Sequence, residues 1–298
     1  MKDIVLSIKG LTKRYGSITA VSNLDLEIER GSVFGILGPN GSGKTTTLGV
    51  LLDVTRADSG TFSWFGGLPV KTQRKRIGAI LEVPLFYPYL SGRQNLQLVA
   101  KIKDLPGDNV DEALRSVDLY DRKDSKFRTY SLGMKQRLAV ASTLIGKPEV
   151  LILDEPTNGL DPRGIAEIRN IILNVASQGV TIILASHILD EVQKTCTHVA
   201  VLEKGKKLYS GSVDEVLNEG HWVELSADNM AGLEKTLKQV DFVENMQEEG
   251  DKYIIKLKSP VSQAELNKFF YEKGIVLTHL ALRKKSLEKY FLELLDKS

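Results

Sequence analysis

Several things are scarce in this chain, and each scarcity removes a class of function. Its 298 residues contain one cysteine, Cys196, so no intrachain disulfide can form. There is also no CxxC pair to hold zinc or run dithiol chemistry, and a reducing compartment is the default expectation. Of four histidines, His198, His221 and His279 stand far apart with no HxH or HxxxH pair, which reads as solvated or hydrogen-bonded side chains rather than a metal site. Charge of one sign is missing too. Forty Lys and Arg against 38 Asp and Glu leave a formal charge of +2, too balanced for a protein whose main partner is a nucleic-acid backbone. Uninterrupted apolar runs such as residues 182–185 fall far short of the roughly 20 needed to cross a bilayer. The opening MKDIVLSIKG carries an early acid, Asp3, and no small-residue cleavage pattern, so it does not read as a secretory signal.

What is present predicts two domains. At roughly 100 to 200 residues per domain, a chain with 42% apolar residues can give each of two domains a core. Leu24, Leu26 and Ile28 alternate with polar residues as in a half-buried strand, Gly31 offers a turn, and residues 33–37 run apolar, which predicts an antiparallel hairpin. Apolar runs at 150–153 and 180–185 flank a helical stretch after Pro162, the pattern of buried parallel strands joined by a crossover helix, so the fold class is α/β. Helical spacing at 93–103, 110–117 and 132–145, the last with Ser131 as a cap, predicts a helical subdomain over about 85–149. From 220 onward the order is strand 222–225, helix to 240, strands 242–246 and 253–257, helix 262–273 and strand 275–282, with a closing helix at 286–295. That is βαββαβ, a ferredoxin-like order, and it predicts domains at 1–219 and 220–298, the second a smaller α+β unit.

The strongest motif is Gly38-Pro39-Asn40-Gly41-Ser42-Gly43-Lys44-Thr45, which matches GxxxxGK[ST] between an apolar strand and a helical segment. Backbone N–H groups in such a loop face a phosphate, Lys44 reaches the terminal phosphates, the Thr45 hydroxyl takes a Mg²⁺ position, and Thr46 extends the contact set. A chance match arises in about one chain of this length in a hundred, before the strand-helix context is demanded. At the end of the 150–153 strand, Asp154 is placed to hold the metal and Glu155 to polarise an attacking water. The bland alternative is a pair of solvated acids. These motifs predict a nucleotide hydrolase. The guanine-reading NKxD is missing, while small kinase-type enzymes remain open on these two motifs.

The remaining motifs narrow the choice. Tyr130-Ser131-Leu132-Gly133-Met134-Lys135-Gln136-Arg137 precedes the acidic strand, Asn158-Gly159-Leu160-Asp161 follows it, and Ser186-His187 ends the next apolar run. In that order, over about residues 4–220, the chain resembles the ABC ATPase family, and Tyr15 matches that family's adenine-stacking aromatic. The resemblance implies a mixed-sheet core, an antiparallel β subdomain and the helical subdomain, with ATP and Mg²⁺ as cofactors. It further implies two nucleotide-binding domains, alike or different, paired head to tail. Ser131 and the Gly133 amide would then grip the γ-phosphate of the partner's ATP, His187 would touch the same phosphate, and Asp161 would link the two sites. Read alone, Ser131 is an ordinary helix cap and His187 a polar strand end. Two departures stand out. Tyr130, Leu132 and Met134 replace the Leu, first Gly and Gln of LSGGQ, and Glu82 stands where most members carry the Q-loop glutamine, still an oxygen ligand for Mg²⁺ but with added charge. Both resemble exporter ATPases of bacitracin- and lantibiotic-type self-protection.

The function so implied is an ATP-hydrolysing subunit driving a separately encoded permease from the cytoplasmic face of the membrane, with no nucleic-acid partner. The aromatic segment Leu85, Phe86, Tyr87, Pro88, Tyr89, Leu90 occupies the family's permease-contact region. The alternative is a soluble ABC protein acting on ribosomes or nucleic acid, against which stand a single phosphate loop, no sustained heptads and near-neutral charge. A third reading makes the C-terminal domain a small-molecule sensor. The basic run at 71–76 would suit acidic headgroups, although a solvated helix face is the commoner outcome.

Overall fold

The computed structural model describes residues 3–68, 70–81, 85–105, 107–218, 221–283 and 286–295. Strands β1 (Ile4–Tyr15) and β2 (Ile18–Glu29) pair antiparallel, with Ile8 opposite Leu26 and Leu11 opposite Leu24. β2 buries Val21, Leu24, Leu26 and Ile28 on one face, and Gly31, at φ 73°, then turns the chain into β3 (Val33–Leu37). The hairpin expected between residues 24–28 and 33–37 does not form, because the two strands belong to different sheets. Periodicity carries the reason. β2 alternates and needs one covered face, whereas all five β3 residues are buried and need two, which only a central strand provides. The two layers share one core, where Leu24, Leu26 and Ile28 meet Phe34, Ile36, Ile152 and Ile183.

Helix α1 (Lys44–Leu51) follows, and β4 (Ser59–Trp64) completes the three-stranded sheet β2-β1-β4. The buried Trp64 indole donates to the Leu51 carbonyl at 2.9 Å, fastening that sheet to α1. Next come α2 (Val70–Lys75), β5 (Ile77–Ile80) and a helical layer of α3 (Gly92–Ile102), α4 (Val110–Ser116) and α5 (Leu132–Leu144). Ser91 and Gln94 form a reciprocal capping box on α3. The chain then alternates β6 (Val150–Asp154), α6 (Pro162–Ser177), β7 (Thr181–Ser186), α7 (Leu189–Thr195) and β8 (His198–Glu203), and ends the sheet on β9 (Lys206–Ser212). The six strands lie in the order β5-β6-β7-β3-β8-β9, parallel except for the β8–β9 pair. A side chain at Gly35 would press on Val192 and Cys196, so α7 packs directly on β3. Cys196 is buried there, and burial pushes its thiol far above the ordinary range, leaving it a small apolar residue.

The chain divides after Ser212, and Val213–Glu293 forms a second compact unit. Following α8 (Val213–Asn218), its elements are β10 (Trp222–Ala227), α9 (Met230–Leu237), β11 (Val243–Glu249), β12 (Lys252–Leu257), α10 (Gln263–Glu272) and β13 (Leu277–Arg283), before α11 (Leu287–Leu295). The antiparallel order β11-β12-β10-β13 is that of a ferredoxin-like βαββαβ sheet. Val223, Leu225 and Ile255 bury against Leu233, Leu266 and Phe270 of its helices.

At the start of β6, Glu149 accepts a bidentate pair from the Arg76 guanidinium and a further bond from Arg30 at 2.8 Å, while Arg76 stacks 4.1 Å from the Phe65 ring centre. The Arg76 bonds, then those of Arg30, hold the Glu149 carboxyl below its ordinary 4.5. A depressed carboxyl contributes stability that is complete above its unfolded value and fades as pH falls through the folded one. Glu149→Gln should therefore cost about 0.5–1 kcal/mol near neutral pH, the pair being partly solvent-screened. Urea unfolding at a series of pH values should show variant and parent converging below pH 4.5. A gap that persists at low pH would contradict the ion-pair account.

Candidate active site at the strand ends

Register brings the chemistry together. Leu37 lies beside Ser186, and Asp154 beside Ala185, so β3, β7 and β6 finish at one level and release their loops side by side. Ligands of open α/β sheets bind at such carboxyl ends. From β3 the loop runs through Gly38, Gly41 and Gly43 at φ 155°, 80° and 104°. A Cβ on Gly43 would run into the Ala20 carbonyl, and one on Gly38 into the Leu202 carbonyl and the Ser42 side chain. The Ser42 amide donates to the Pro39 carbonyl at 3.1 Å, and both the Thr47 amide and hydroxyl donate to the Gly43 carbonyl at 2.8 Å. α1 then starts at Lys44 with no side-chain cap, leaving its first amides facing the loop. Pro39, Asn40, Gly41 and Thr45 are exposed on this mouth, while Thr46 is half-buried.

The loop also leans on a residue that sequence reasoning missed. Gly205, in the turn between β8 and β9, donates its amide to the Ser42 carbonyl at 3.0 Å and accepts from the Ser22 amide at 2.8 Å. The Lys204-Gly205 pair signals a hairpin turn, and nothing in it signals contact with a loop more than 160 positions earlier.

Lys44 is buried, donates to the carbonyls of Gly38 at 2.8 Å and Pro39 at 3.3 Å, and stands 3.4 Å from Glu155 Oε1. Glu155 adopts a left-handed backbone, φ 47°, immediately after the buried Asp154. That conformation is held from both sides: the Glu155 amide donates to the Ala185 carbonyl at 2.9 Å, and the Glu155 carbonyl accepts from Asn158 at 3.1 Å. Its other oxygen, Oε2, is 2.8 Å from His187 Nδ1. Facing an ionised carboxylate, Nδ1 is the nitrogen that carries the proton, which leaves Nε2 free to turn toward solvent or a ligand. The buried Ser186 hydroxyl accepts from the Ile188 amide at 3.0 Å and shapes the turn that presents this ring. Lys44, Glu155 and His187, far apart in the chain, thus form one cluster.

The oxygen donors beside it suit a hard divalent cation. The Thr45 hydroxyl in the first turn of α1 and the Asp154 carboxylate closing β6 are oxygen donors of the kind that would hold Mg²⁺, which ordinarily keeps waters and phosphate oxygens in its other positions. Ser42 Oγ lies buried in the same loop without a hydrogen bond, a polar group that an incoming phosphate or hydrated cation would satisfy. Glu82, the third expected metal ligand, lies outside the described residues.

The bonds that the other expected site residues make are local ones rather than bonds to this cluster. Ser131 caps α5, its exposed hydroxyl accepting from the Met134 amide at 3.2 Å, and the space over Gly133 is open. Asp161 caps α6 by accepting from Gly164 at 2.7 Å. Tyr15 is half exposed at the end of β1, with the Lys13 ammonium 5.2 Å from its ring centre. Tyr130, the aromatic departure in the signature, is buried and donates its hydroxyl to the Arg122 carbonyl at 2.7 Å, a bond leucine cannot make. In the aromatic segment Phe86 turns inward, edge-on to Phe127 at 5.2 Å, whereas Leu85, Tyr87 and Tyr89 are exposed.

A glycine-rich loop ahead of an uncapped helix, with two acids at the end of β6, one strand removed from β3 in the sheet, defines a phosphate-loop nucleotide-binding α/β protein. Residues 21–158 match the ABC transporter domain family. The bacitracin transport ATP-binding protein BcrA of Bacillus licheniformis is 38% identical over 98% of this chain and 97% of its own. The lantibiotic transport ATP-binding protein SrtF of Streptococcus pyogenes is 38% identical over 72% of this chain and 96% of its own. Among solved structures, CbiO1 of Clostridium perfringens, part of the ABC transporter complex CbiONQ, superposes with a TM-score of 0.67 at 32% identity, covering 73% of this chain and 92% of that one. This chain belongs to the ABC transporter family, as an ATP-binding and ATP-hydrolysing transporter subunit. Among the described residues no helix is long and apolar enough to cross a membrane.

The loop geometry makes Gly43 the most sensitive backbone position. Gly43→Ala must leave its positive φ or displace the Ala20 carbonyl, at a cost of about 1–3 kcal/mol. Titration with a fluorescent ATP analogue should show affinity reduced tenfold or more, and parental affinity would mean that the loop relaxes freely.

Proposed function

We propose that this chain powers export by pairing with a second ATP-binding subunit, alike or different, around two ATP molecules, and by pulling on a separately encoded permease at the cytoplasmic face of the membrane. The observation that carries the reading is Glu155, set between the Lys44 ammonium and the His187 ring. In this reading Lys44 exchanges its loop carbonyls for phosphate oxygens, and the amides of residues 38–46 enclose the phosphate chain. Glu155 orients the attacking water and takes its proton, while His187 steadies that carboxylate and presents Nε2 to the γ-phosphate. Thr45 and Asp154, with Glu82, would hold Mg²⁺, which when bound neutralises phosphate charge. Tyr15 stacks on the adenine.

The exposed α5 terminus supports the paired arrangement. Ser131 and the open Gly133 make no bond to the cluster of their own chain among the described residues, and a helix N-terminus is suited to another subunit's γ-phosphate. Asp161 would link the two sites. The exposed Leu85, Tyr87 and Tyr89 offer apolar and aromatic anchors for a permease helix. Relatives named for bacitracin and lantibiotic transport support export of peptide antibiotics, and no feature favours a nucleic-acid partner. The C-terminal domain, residues 220–298, would be an accessory unit of this transporter subunit.

Two experiments test the reading. Glu155→Gln should keep MgATP binding and accumulate an ATP-bound dimer, with hydrolysis reduced roughly 10²-fold or more; parental turnover would remove Glu155 from the reaction. Ser131→Arg and Lys44→Ala subunits should each be inactive alone and regain activity on mixing, since one composite site keeps both functional halves. Full activity from a demonstrably monomeric sample would contradict shared sites.

A further inference from the structure

The basic run at residues 71–76 divides in the fold. Arg76 turns to Glu149 and Phe65 and is consumed by structure. Arg74 and Lys75, in the last turn of α2, instead line a cavity of about 210 Å³ together with Lys103, which follows α3. Ile77, Leu105 and Pro148 supply its apolar walls, and among the described residues no carboxylate lines it. One acid touches this set from outside: Asp53 lies 3.4 Å from the well-exposed Arg74 guanidinium. Among the described residues Lys75 and Lys103 make no ion pair; both remain exposed, and packing around the Lys103 ammonium lowers it below its ordinary value with no anion to raise it again. Cations converging over apolar walls with so little countercharge concentrate positive potential, and low-dielectric walls strengthen it. β5 and β6 begin beside this cavity and end at the active site, roughly 13–17 Å away for five residues of strand, so it is separate from the phosphate loop.

We propose that this cavity is a second anion site, built for a single phosphate-type group held by Lys75, Lys103 and Arg74. Its volume leaves room for one phosphate and part of its hydration shell. The same chemistry occurs in free phosphate and in the headgroup of an anionic lipid, and the bland competitor is that the lysines serve only the C-terminal carbonyls of α5.

With MgADP saturating the phosphate loop, inorganic phosphate at constant ionic strength should raise the thermal midpoint of the full chain. Lys75→Gln with Lys103→Gln should abolish that rise while ADP affinity stays parental. In the unmodified chain, the ¹⁵N-labelled Lys103 ammonium should shift saturably with phosphate and not with chloride, a readout that needs no variant. Co-sedimentation with phosphatidylglycerol vesicles, against phosphatidylcholine alone, distinguishes the sources. Binding to the former that the double variant reduces at least fivefold assigns the lipid headgroup, and a phosphate response without vesicle binding assigns the free anion. Equal responses in parent and variant, no response to either probe, or a variant that is merely less stable would overturn the proposal.

Discussion

Three parallel strands end at one level because hydrogen-bond register places Leu37 against Ser186 and Asp154 against Ala185, and the placement of every reactive group follows from that alignment. A one-residue slip of β6 would carry Glu155 about 3.3 Å along the sheet and turn its neighbours to the opposite face, separating it from both Lys44 and His187. The register is secured by burial. β3, β6 and β7 have every side chain enclosed, so no alternative pairing exposes less apolar surface.

On that frame the site carries electrostatic stress and distributes it. Lys44 and Glu155 are held close in a water-poor setting, with carbonyls shared around the ammonium and an imidazole beside the carboxylate. Burying charge is tolerated only where partners are this close. The left-handed backbone at Glu155 is a further strained point, held by its amide donating to the Ala185 carbonyl and its carbonyl accepting from the Asn158 amide, whereas the loop takes its positive φ values at glycines, which adopt them without strain, and is propped at Ser42 by the Gly205 turn. A phosphate-loop protein thus maintains its binding mouth by contacts that lie outside the loop itself.

One departure from the familiar motifs, Tyr130, has a local physical reason. Tyr130 fills the space against Gly92 and spends its hydroxyl on the Arg122 carbonyl, while Ser131 and Gly133 stay available at the start of α5. A basic run that looked uniform in sequence is two things in space, one arginine locked in an ion-pair network and two cations turned to a cavity.

Much was determined by the sequence alone, because it rests on local chemistry. Gly38 to Thr45 specify a strand-loop-helix through glycine backbone freedom and an uncapped helix start, and the unbroken apolar runs specify buried parallel strands. The βαββαβ order after residue 220 was likewise legible from alternation and capping. Tertiary structure alone decided the partners. Residues 24–28 alternate while 33–37 run apolar throughout, which asks for one covered face in the first and two in the second, but which strands each one pairs with was decided by the two sheets and their shared core. Nor does periodicity show that His187 meets Glu155 through Nδ1, that Gly205 props the phosphate loop, or that Lys103 joins Lys75, because each contact closes a long loop and is selected by packing of the whole sheet.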